Sequence, residues 1–242
     1  MYKMEYYCIS VEKINIETNE IIVDGDDYRH LSKVLRKKEG DTLVITDGKL
    51  NIYECRIILN DAKKIICRIE EKKYNLYEPE INVTLFTAPL KNISRFEFAM
   101  EKAVELGVKK IQPVLTEHTI VKNKFSKVKM ERFGNIIKRA TGQSQRCFLP
   151  ELENVISFSE MIEMTENKKN RIVMYEFSND NEDVTKDKSS DEYNLLIGPE
   201  GGFSKGEVNC LSEARWTFKS LGERKLRAET AAIVSLYKIL QI

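Results

Sequence analysis

The sequence predicts an α/β fold with a mostly parallel sheet, preceded by a small β-barrel. Two changes of pattern along its 242 residues predict this architecture. Up to about residue 74, short apolar runs are separated by turn signals such as Asp47-Gly48, which is typical of a small barrel. From residue 81, short apolar runs alternate with amphipathic segments of helical period, as in a parallel sheet covered by helices. We therefore expect two domains, residues 1–74 and 75–242.

One helix interrupts the predicted barrel strands. Over residues 27–36 an amphipathic pattern places Leu31, Val34 and Leu35 on one stripe and leaves the basic side chains largely off it. These basic side chains could face a phosphate backbone or could lie in solvent, and the pattern hardly separates the two. The barrel strands are expected at residues 13–17, 20–23, 42–45, 52–58 and 64–69.

The second domain is expected to alternate strands and helices. Its first helix is predicted to begin at the capping-box sequence Ser94-Arg95-Phe96-Glu97 and to end at Gly107. A basic helix is predicted at about residues 125–142 and breaks at Gly142. The acidic, polar segment 178–192 is predicted to be a solvated loop. The expected strands are 81–86, 110–115, 171–177, 194–197 and 216–221.

Several classes of protein are excluded by motifs that the sequence lacks. It contains no G-x-G-x-x-G after the first strand of the second domain, no P-loop, no H-E-x-x-H and no G-x-S-x-G. The five cysteines are never spaced as C-x-x-C and only two histidines accompany them, so we expect no metal site. With no apolar run of membrane-spanning length and no signal-peptide pattern at the N-terminus, we expect no membrane association and a cytoplasmic location.

Charge is distributed unevenly although the net charge is only +1. Residues 91–146 carry 13 basic and five acidic side chains, whereas residues 147–200 carry five basic and 13 acidic ones. The basic segment could be a surface that faces nucleic-acid phosphates, or a solvated helix face with interspersed lysines. Charge alone rates these two interpretations about equal.

Two glycine-containing bends dominate the last fifty residues. The first holds Gly198, Gly201 and Gly202 after an apolar run, and the second holds Gly222 after another. Missing Cβ atoms let a backbone approach a ligand closely and permit positive φ. Bends at the carboxyl ends of neighbouring parallel strands face one crevice, which is where ligands bind in open α/β sheets. We therefore expect the cofactor site here.

Two charged residues near these bends call for a ligand or partner. Arg227 is predicted to lie at a helix N-terminus, where a cation opposes the helix dipole unless something anionic offsets it. Glu200 stands among glycines, where packing does not explain it. Glu229 and Thr230 could simply cap the same helix.

Fragments from both predicted domains match one known pattern. They are Gly198-Pro199-Glu200-Gly201-Gly202, Leu221-Gly222, Leu226 to Ala231, His30-Leu31, Val34 to Arg36, Gly40-Asp41, Lys91, Arg95, Lys102, Glu105 to Gly107, Gln143-Ser144 and Arg146. In this order and spacing they resemble the RsmE family, a group of S-adenosylmethionine-dependent methyltransferases in the SPOUT superfamily. Members of this family modify N3 of a uridine in small-subunit (16S) ribosomal RNA. The sequence departs from the family pattern at Asn92, where a glycine is usual, and at Gly142, where a glutamate is usual.

This resemblance implies a PUA-like N-terminal barrel, a trefoil knot in the second domain, and a homodimer that completes the active crevice across its interface. It implies 16S ribosomal RNA as the substrate and S-adenosylmethionine as the cofactor. The cofactor is expected to contact Leu115, Ile197, Gly198, Pro199, Gly201, Gly202, Leu221, Gly222 and Leu226. RNA is expected to contact Arg29, His30, Lys33, Arg36, Lys91, Gln143 and Arg146.

The same resemblance suggests catalytic roles for four residues. Arg227 or Arg146 is expected to stabilise negative charge on the uracil carbonyls, and Glu229 or Glu200 to accept the N3 proton or orient the base. Arg227 and Glu229 are the first choices. Three alternatives stay open: a related methyltransferase acting on another RNA, an RNA-binding homologue that has lost its chemistry, and a small-molecule α/β enzyme.

Overall fold

The structure is a computed structural model that describes residues 5–121, 123–178 and 190–240. Most of the predicted loop at 178–192 lies outside the described residues. The chain forms two compact units. The first comprises Met1–Glu78 and Lys138–Leu149, and the second comprises Pro79–Ile137 and Pro150–Ile242. A division into functional domains after residue 74 stays a prediction.

The first unit is built on a six-stranded sheet in the order β1-β4-β5-β6-β3-β2. Neighbouring strands are antiparallel except β1 and β4, which are parallel. Alternate residues such as Ile21 and Val23, or Ile65 and Cys67, are fully buried, as expected for strands with one face on a core. Its elements are β1 Tyr6–Cys8, a 3₁₀ turn Val11–Lys13, β2 Ile14–Asn15, β3 Glu20–Asp24, α1 Gly25–Arg29, β4 Thr42–Thr46, β5 Asn51–Asn60 and β6 Lys64–Tyr74.

The helix predicted at residues 27–36 takes a different form. Helix α1 continues as a π-helix over His30–Val34, closed by a bond from the Leu35 N–H to the His30 carbonyl. A π-helix has wider hydrogen-bonded turns than an α-helix, so residues at α-helical spacing no longer share one face. Leu31 is fully buried, whereas Val34 and Leu35 are 66% and 44% exposed. The predicted apolar stripe is therefore wrong beyond Leu31.

The second unit is a seven-stranded sheet with helices. Its order is β10-β8-β7-β12-β11-β13, with β9 also paired to β8, and its registers are all parallel. This confirms the predicted α/β class with a mostly parallel sheet, while the knot stays a prediction. Its elements are β7 Asn82–Thr87, α2 Ile93–Leu106, β8 Lys110–Leu115, α3 Lys127–Gln143, β9 Glu151–Leu152, β10 Ile156–Ser157, α4 Phe158–Thr165, β11 Arg171–Met174, β12 Glu192–Ile197, α5 Lys205–Glu213, β13 Thr217–Lys219 and α6 Ala228–Leu240. The last residues of α3, from Lys138, are grouped with the first unit.

Helix α2 begins two residues before the predicted start. Its N-cap is Asn92, whose side-chain oxygen accepts a hydrogen bond from the Ser94 N–H at 3.0 Å. The predicted capping role of Ser94 is therefore wrong, and the asparagine that departs from the family pattern has a local role. Gly107 ends the helix in the left-handed region, with φ of 113°, as predicted.

Helix α3 runs through Gly142 instead of breaking there. The chain turns at Gln145, which has a φ of 60°. Arg146 N–H bonds to the Thr141 carbonyl and Gln145 N–H bonds to the Gly142 carbonyl, which is the bonding pattern of a Schellman end. A Cβ at Gly142 would lie 2.2 Å from the carbonyl oxygen of Tyr6. The glycine is thus required by packing within the first unit.

Candidate active site

A cavity of about 460 Å³ opens at the carboxyl ends of three adjacent strands, β12, β11 and β13. Parallel strands end at the same edge of a sheet, so the segments that follow them converge on one crevice. The cavity is lined by Met174 to Phe177, Ile197 to Phe203, Ser220 to Gly222, Arg224 to Ala228, Arg95 and Ala231. Both predicted glycine bends therefore lie on one cavity wall.

The glycines in these bends serve two different purposes. Gly202 and Gly222 have φ values of 69° and 102°, where a side chain would be strained. At Gly198 a Cβ would lie 2.9 Å from the Phe203 ring, and at Gly201 it would lie 3.0 Å from His118 Cβ. These two positions are restricted by close approach of neighbours, and the predicted need for positive φ holds only at Gly202 in the first bend.

The first bend is braced by the segment that follows β8. The Nδ1 atom of His118 lies 3.0 Å and 3.2 Å from the carbonyl oxygens of Gly201 and Gly202. The Glu117 N–H donates to the Glu207 carboxylate at 2.8 Å, and Glu207 also forms a capping box with Ser204. The bend is thus held between this segment and helix α5.

Eight of the nine residues predicted to bind the cofactor line the cavity. They are Ile197, Gly198, Pro199, Gly201, Gly202, Leu221, Gly222 and Leu226. Leu115 is not among the described residues that line it. Leu115 ends β8, and β7 separates β8 from β12 in the sheet, so its carboxyl end lies away from the crevice.

The third segment of the cavity wall was not predicted from the sequence. Tyr175, Glu176 and Phe177 follow β11, which pairs with both β12 and β13. The predicted strand at 171–177 could have indicated this segment, because ligands in open α/β sheets bind beyond the carboxyl ends of all the strands that border the crevice. Arg95 was also missed as a cavity residue, since nothing in a helical pattern indicates which side chain reaches another element.

Arg227 lies at the start of helix α6, as predicted. Its carbonyl accepts the first helical hydrogen bond, from the Ala231 N–H at 2.8 Å. Its side chain is exposed and lines the cavity. Among the described residues, no carboxylate lies within ion-pair distance of its guanidinium. A cation in this position opposes the helix dipole, so an anionic ligand would stabilise it.

Glu229 forms its ion pair with a different arginine, Arg95. Arg95 Nε and Nη2 donate to its two carboxylate oxygens at 2.8 Å and 2.6 Å, and the Glu229 side chain is only 9% exposed. The hydrogen bonds from Arg95 are the main cause that lowers the pKa of Glu229 below its usual value, although burial acts against them. A carboxylate held in this way is a weakened proton acceptor.

Glu200 is the carboxylate that faces the cavity from the first bend. Its Oε1 lies 3.6 Å from Arg95 Nη1 and accepts a hydrogen bond from the Lys91 N–H at 3.3 Å. Arg95 therefore contacts two glutamates, Glu229 on one side and Glu200 on the other.

Arg146 and Gln143 belong to the first unit. Arg146 is 4% exposed and donates from Nη2 to Glu78 at 2.7 Å, with Nε also within 3.3 Å of that carboxylate. This pairing favours a structural role, and the catalytic and RNA-binding roles of Arg146 stay predictions. Gln143 is the last residue of α3 and is exposed.

The other predicted RNA contacts are all exposed side chains. Arg29, His30, Lys33 and Arg36 lie on and just after α1 and the π-helix, and Lys91 precedes α2. Arg29 forms an ion pair with Asp26 at 2.8 Å in which both partners are largely exposed. In the described parts of the chain, no group of three or more His, Cys, Asp or Glu side chains is arranged to hold a metal ion. No described helix is long and apolar enough to cross a membrane.

Comparisons with known proteins agree with this architecture. A family described as "RNA methyltransferase domain" matches residues 77–240, and one described as "RNA methyltransferase PUA domain" matches residues 23–70. Ribosomal RNA small subunit methyltransferase E of Mesomycoplasma hyopneumoniae (strain 232) is 31% identical over 228 residues, covering 93% of this chain and 96% of that protein. The chain belongs to the RsmE family of RNA methyltransferases.

Further RsmE relatives and solved structures span nearly the whole chain. The enzyme of the same name from Bacillus subtilis (strain 168) is 27% identical, covering 98% of this chain and 96% of that protein. A Legionella pneumophila protein described as a methyltransferase in complex with S-adenosylmethionine superposes with a TM-score of 0.83 at 28% identity, covering 98% and 96% of the two chains. A Neisseria gonorrhoeae RsmE structure, at TM-score 0.89, 24% identity and 99% and 98% coverage, shares the fold. The PUA-like first unit and SPOUT-type second unit are thereby confirmed.

Proposed function

We propose that this RsmE-family protein transfers a methyl group from S-adenosylmethionine to N3 of a specific uridine in 16S ribosomal RNA. The observation that carries the proposal is the cavity at three strand ends, walled by two glycine bends and bordered by Arg227. Its relatives are named small-subunit ribosomal RNA methyltransferases, and the Legionella relative was solved with S-adenosylmethionine.

The residues of the cavity fit such a cofactor. Its volume of about 460 Å³ lies in the range of small-molecule sites, about 300–1,000 Å³. Gly202 and Gly222 leave backbone exposed without side chains, and Leu221 and Leu226 supply apolar wall for an adenine ring. When bound, S-adenosylmethionine supplies an electrophilic methyl group on a sulfonium.

The residues of the chain then have to prepare the uracil base. Uridine N3 carries a proton at neutral pH and becomes nucleophilic when it loses that proton. Arg227 stabilises the negative charge that develops on a uracil carbonyl, and Glu200 accepts the N3 proton. Glu229, the first choice from the sequence, is less suited to this step because Arg95 holds both of its oxygens. The rest of the catalytic effect is positioning.

We assign RNA binding to exposed basic and polar side chains. Arg29, His30, Lys33 and Arg36 on the PUA-like unit, together with Lys91 and Gln143, contact the RNA. Because N3 is involved in base pairing, the target uridine is single-stranded or flipped out of a helix. We also propose that the protein is a homodimer and acts in the cytoplasm, where ribosomal RNA is found.

An inactive RNA-binding homologue is the alternative that the missing family glutamate at Gly142 would favour. The structure offers another reason for this glycine, since any Cβ at this position meets the Tyr6 carbonyl at 2.2 Å. Local packing thus gives a reason for the glycine that does not require a loss of chemistry.

Nucleoside analysis tests the proposal. Purified protein is incubated with S-adenosylmethionine and, separately, with 16S RNA, assembled small subunits, 23S RNA and transfer RNA, and each RNA is digested to nucleosides. We expect N3-methyluridine from 16S RNA or from the small subunit alone. Calorimetry with S-adenosylmethionine runs in parallel: absence of binding and of product supports the inactive homologue, and product on transfer RNA or 23S RNA supports a methyltransferase with another target.

A further inference from the structure

We infer that Arg95 is a positioning residue, whose guanidinium is anchored by Glu229 and holds the Glu200 carboxylate against the cavity. This inference rests on the proposed function, because it assigns Glu200 a place in that reaction. Arg95 stands in the first turn of α2, Glu229 in the first turn of α6 and Glu200 in the first glycine bend. Three separate elements thus meet at one guanidinium.

Different nitrogens of the guanidinium contact the two glutamates. The Nε and Nη2 atoms form a fork with both oxygens of Glu229, at 2.8 Å and 2.6 Å. A planar fork of this kind fixes the orientation of the guanidinium as well as its position. The remaining nitrogen, Nη1, is directed at Glu200 Oε1 at 3.6 Å.

Glu200 receives a second constraint from the same segment. The Lys91 N–H donates to Glu200 Oε1 at 3.3 Å, so the oxygen that faces Arg95 is also held by backbone. The Arg95 side chain is 28% exposed and that of Glu200 31%, and both line the cavity. Together these contacts fix Glu200 Oε1 and thereby the direction in which Oε2 points.

The Glu229 carboxylate completes the arrangement as an anchor. It is 9% exposed, and the described residues that line the cavity do not include it. Its charge offsets that of Arg95 at the cavity wall. The fork from Arg95 also lowers the pKa of Glu229, which favours the ionised form that pairs with the arginine.

The test must separate positioning from mere stability. Arg95→Met alone leaves the Glu229 charge without its partner, and this destabilises the fold whatever Arg95 does in catalysis. The double variant Arg95→Met/Glu229→Leu replaces the whole pair with apolar side chains of similar volume, which is often neutral for stability. We expect it to unfold like wild type, and calorimetry gives its affinity for S-adenosylmethionine so that kcat is measured with the cofactor saturating. Its kcat for 16S methylation is expected to fall by about 100-fold, because Glu200 loses its orientation.

A further variant asks whether Arg95 acts through Glu200. Glu200→Gln by itself is expected to lower kcat, and adding it to the double variant is expected to lower kcat little further, since coupled residues are not additive. A full additional loss in the triple variant would overturn the inference. So would wild-type kcat in the stably folded double variant.

Arg132→Met/Glu97→Leu is the matched control. Arg132 on α3 pairs with Glu97 on α2 at 2.7 Å, and neither is among the described residues that line the cavity. We expect wild-type kcat from this variant, and a loss equal to that of the double variant would overturn the inference. A wild-type protein that makes no N3-methyluridine would overturn the proposed function and this inference with it, whereas an active wild type with an active double variant overturns the inference alone.

Discussion

Each unit of the molecule contains an arginine–glutamate pair with a buried carboxylate, Arg146–Glu78 in the first and Arg95–Glu229 in the second, and the two pairs differ in what surrounds them. In the first unit, Arg146 and Glu78 are 4% and 1% exposed. Glu78 accepts further hydrogen bonds from the N–H groups of Cys147 and Phe148, both at 3.0 Å. In the second unit, Arg95 and Glu229 are 28% and 9% exposed, and Arg95 borders the cavity.

The difference separates a structural pair from one that can serve a ligand site. Glu78 joins the end of the segment after β6 to the segment after α3, and these partners satisfy its buried oxygens. Arg95 keeps one nitrogen directed at a cavity carboxylate. Arg227 continues the series, because its guanidinium is exposed and, among the described residues, has no carboxylate within ion-pair distance. Exposure rises and the number of carboxylate hydrogen bonds falls from Arg146 through Arg95 to Arg227. Arg146 is therefore best explained as structural and Arg227 as available to a ligand.

The largest expected effect comes from removing the buried carboxylate. Glu78→Ala removes the buried carboxylate that pairs with Arg146 and accepts hydrogen bonds from the Cys147 and Phe148 N–H groups. Removing one member of such a pair costs about 3–5 kcal/mol, so we expect a loss of this size in the free energy of unfolding. Urea denaturation measures it.

Glu70→Ala is the control for this comparison. Glu70 pairs with Arg56 across β5 and β6 at 2.6 Å, but both side chains are more than 40% exposed. Exposed pairs contribute little to stability. Equal losses from Glu78→Ala and Glu70→Ala would refute the structural role of the buried pair.

The next effect concerns the arginine at the other end of the series. Arg227→Ala removes the cation that faces the developing negative charge on the base. Loss of one such stabilising group lowers kcat by about 10²–10³-fold. The measurement is kcat for N3-methyluridine formation, with the affinity for S-adenosylmethionine determined by calorimetry. An undiminished kcat in a variant that still binds the cofactor would reject the role.

A glycine beside Arg146 tests whether that region is built for packing. Gly142→Ala places a Cβ at 2.2 Å from the Tyr6 carbonyl oxygen and is expected to destabilise the protein by about 1–3 kcal/mol. Gly134→Ala, in the same helix, meets nothing within 4 Å and is expected to stabilise by about 0.5–1 kcal/mol. Thermal unfolding of both variants checks the opposite signs, and a neutral Gly142→Ala would contradict the packing explanation.

Local patterns predicted the parts of the site that lie close together in sequence. The two glycine bends and Arg227 were found because each bend follows an apolar run, and the crevice rule then places both at one edge of the sheet. The order of the strands in the sheet could not be predicted in the same way. Leu115 was placed at the cofactor by resemblance, but β7 lies between its strand and β12. No pattern along a single strand reveals its neighbours.

The pairing of charges was beyond the sequence for a similar reason. Arg95 and Glu229 are 134 residues apart, and Arg146 and Glu78 are 68 residues apart. A helical pattern predicts which face a residue occupies, not which distant side chain it meets. The π-helix at His30–Val34 likewise changes the helical period, and no residue type in the sequence indicates that change. The apolar stripe at 27–36 was therefore predicted with α-helical spacing, which is wrong here.

The smallest predicted effect is the pH dependence of stability, which tests whether the Arg95–Glu229 contact depends on the charge of Glu229. The pKa of Glu229 is lowered in the folded protein from its ordinary value of 4.5, chiefly by hydrogen bonds from Arg95. A group with a lowered folded-state pKa stabilises the protein fully above its unfolded value and loses that contribution as the pH falls through the folded value. Glu229→Gln is therefore expected to be less stable than wild type at pH 7, with the difference shrinking as the pH drops below about 4.5. Urea unfolding of both proteins at several pH values measures this. A difference that stays constant across that range would mean that the Glu229 charge contributes nothing to the pair, and the anchor for Arg95 would then be shape and hydrogen bonding alone.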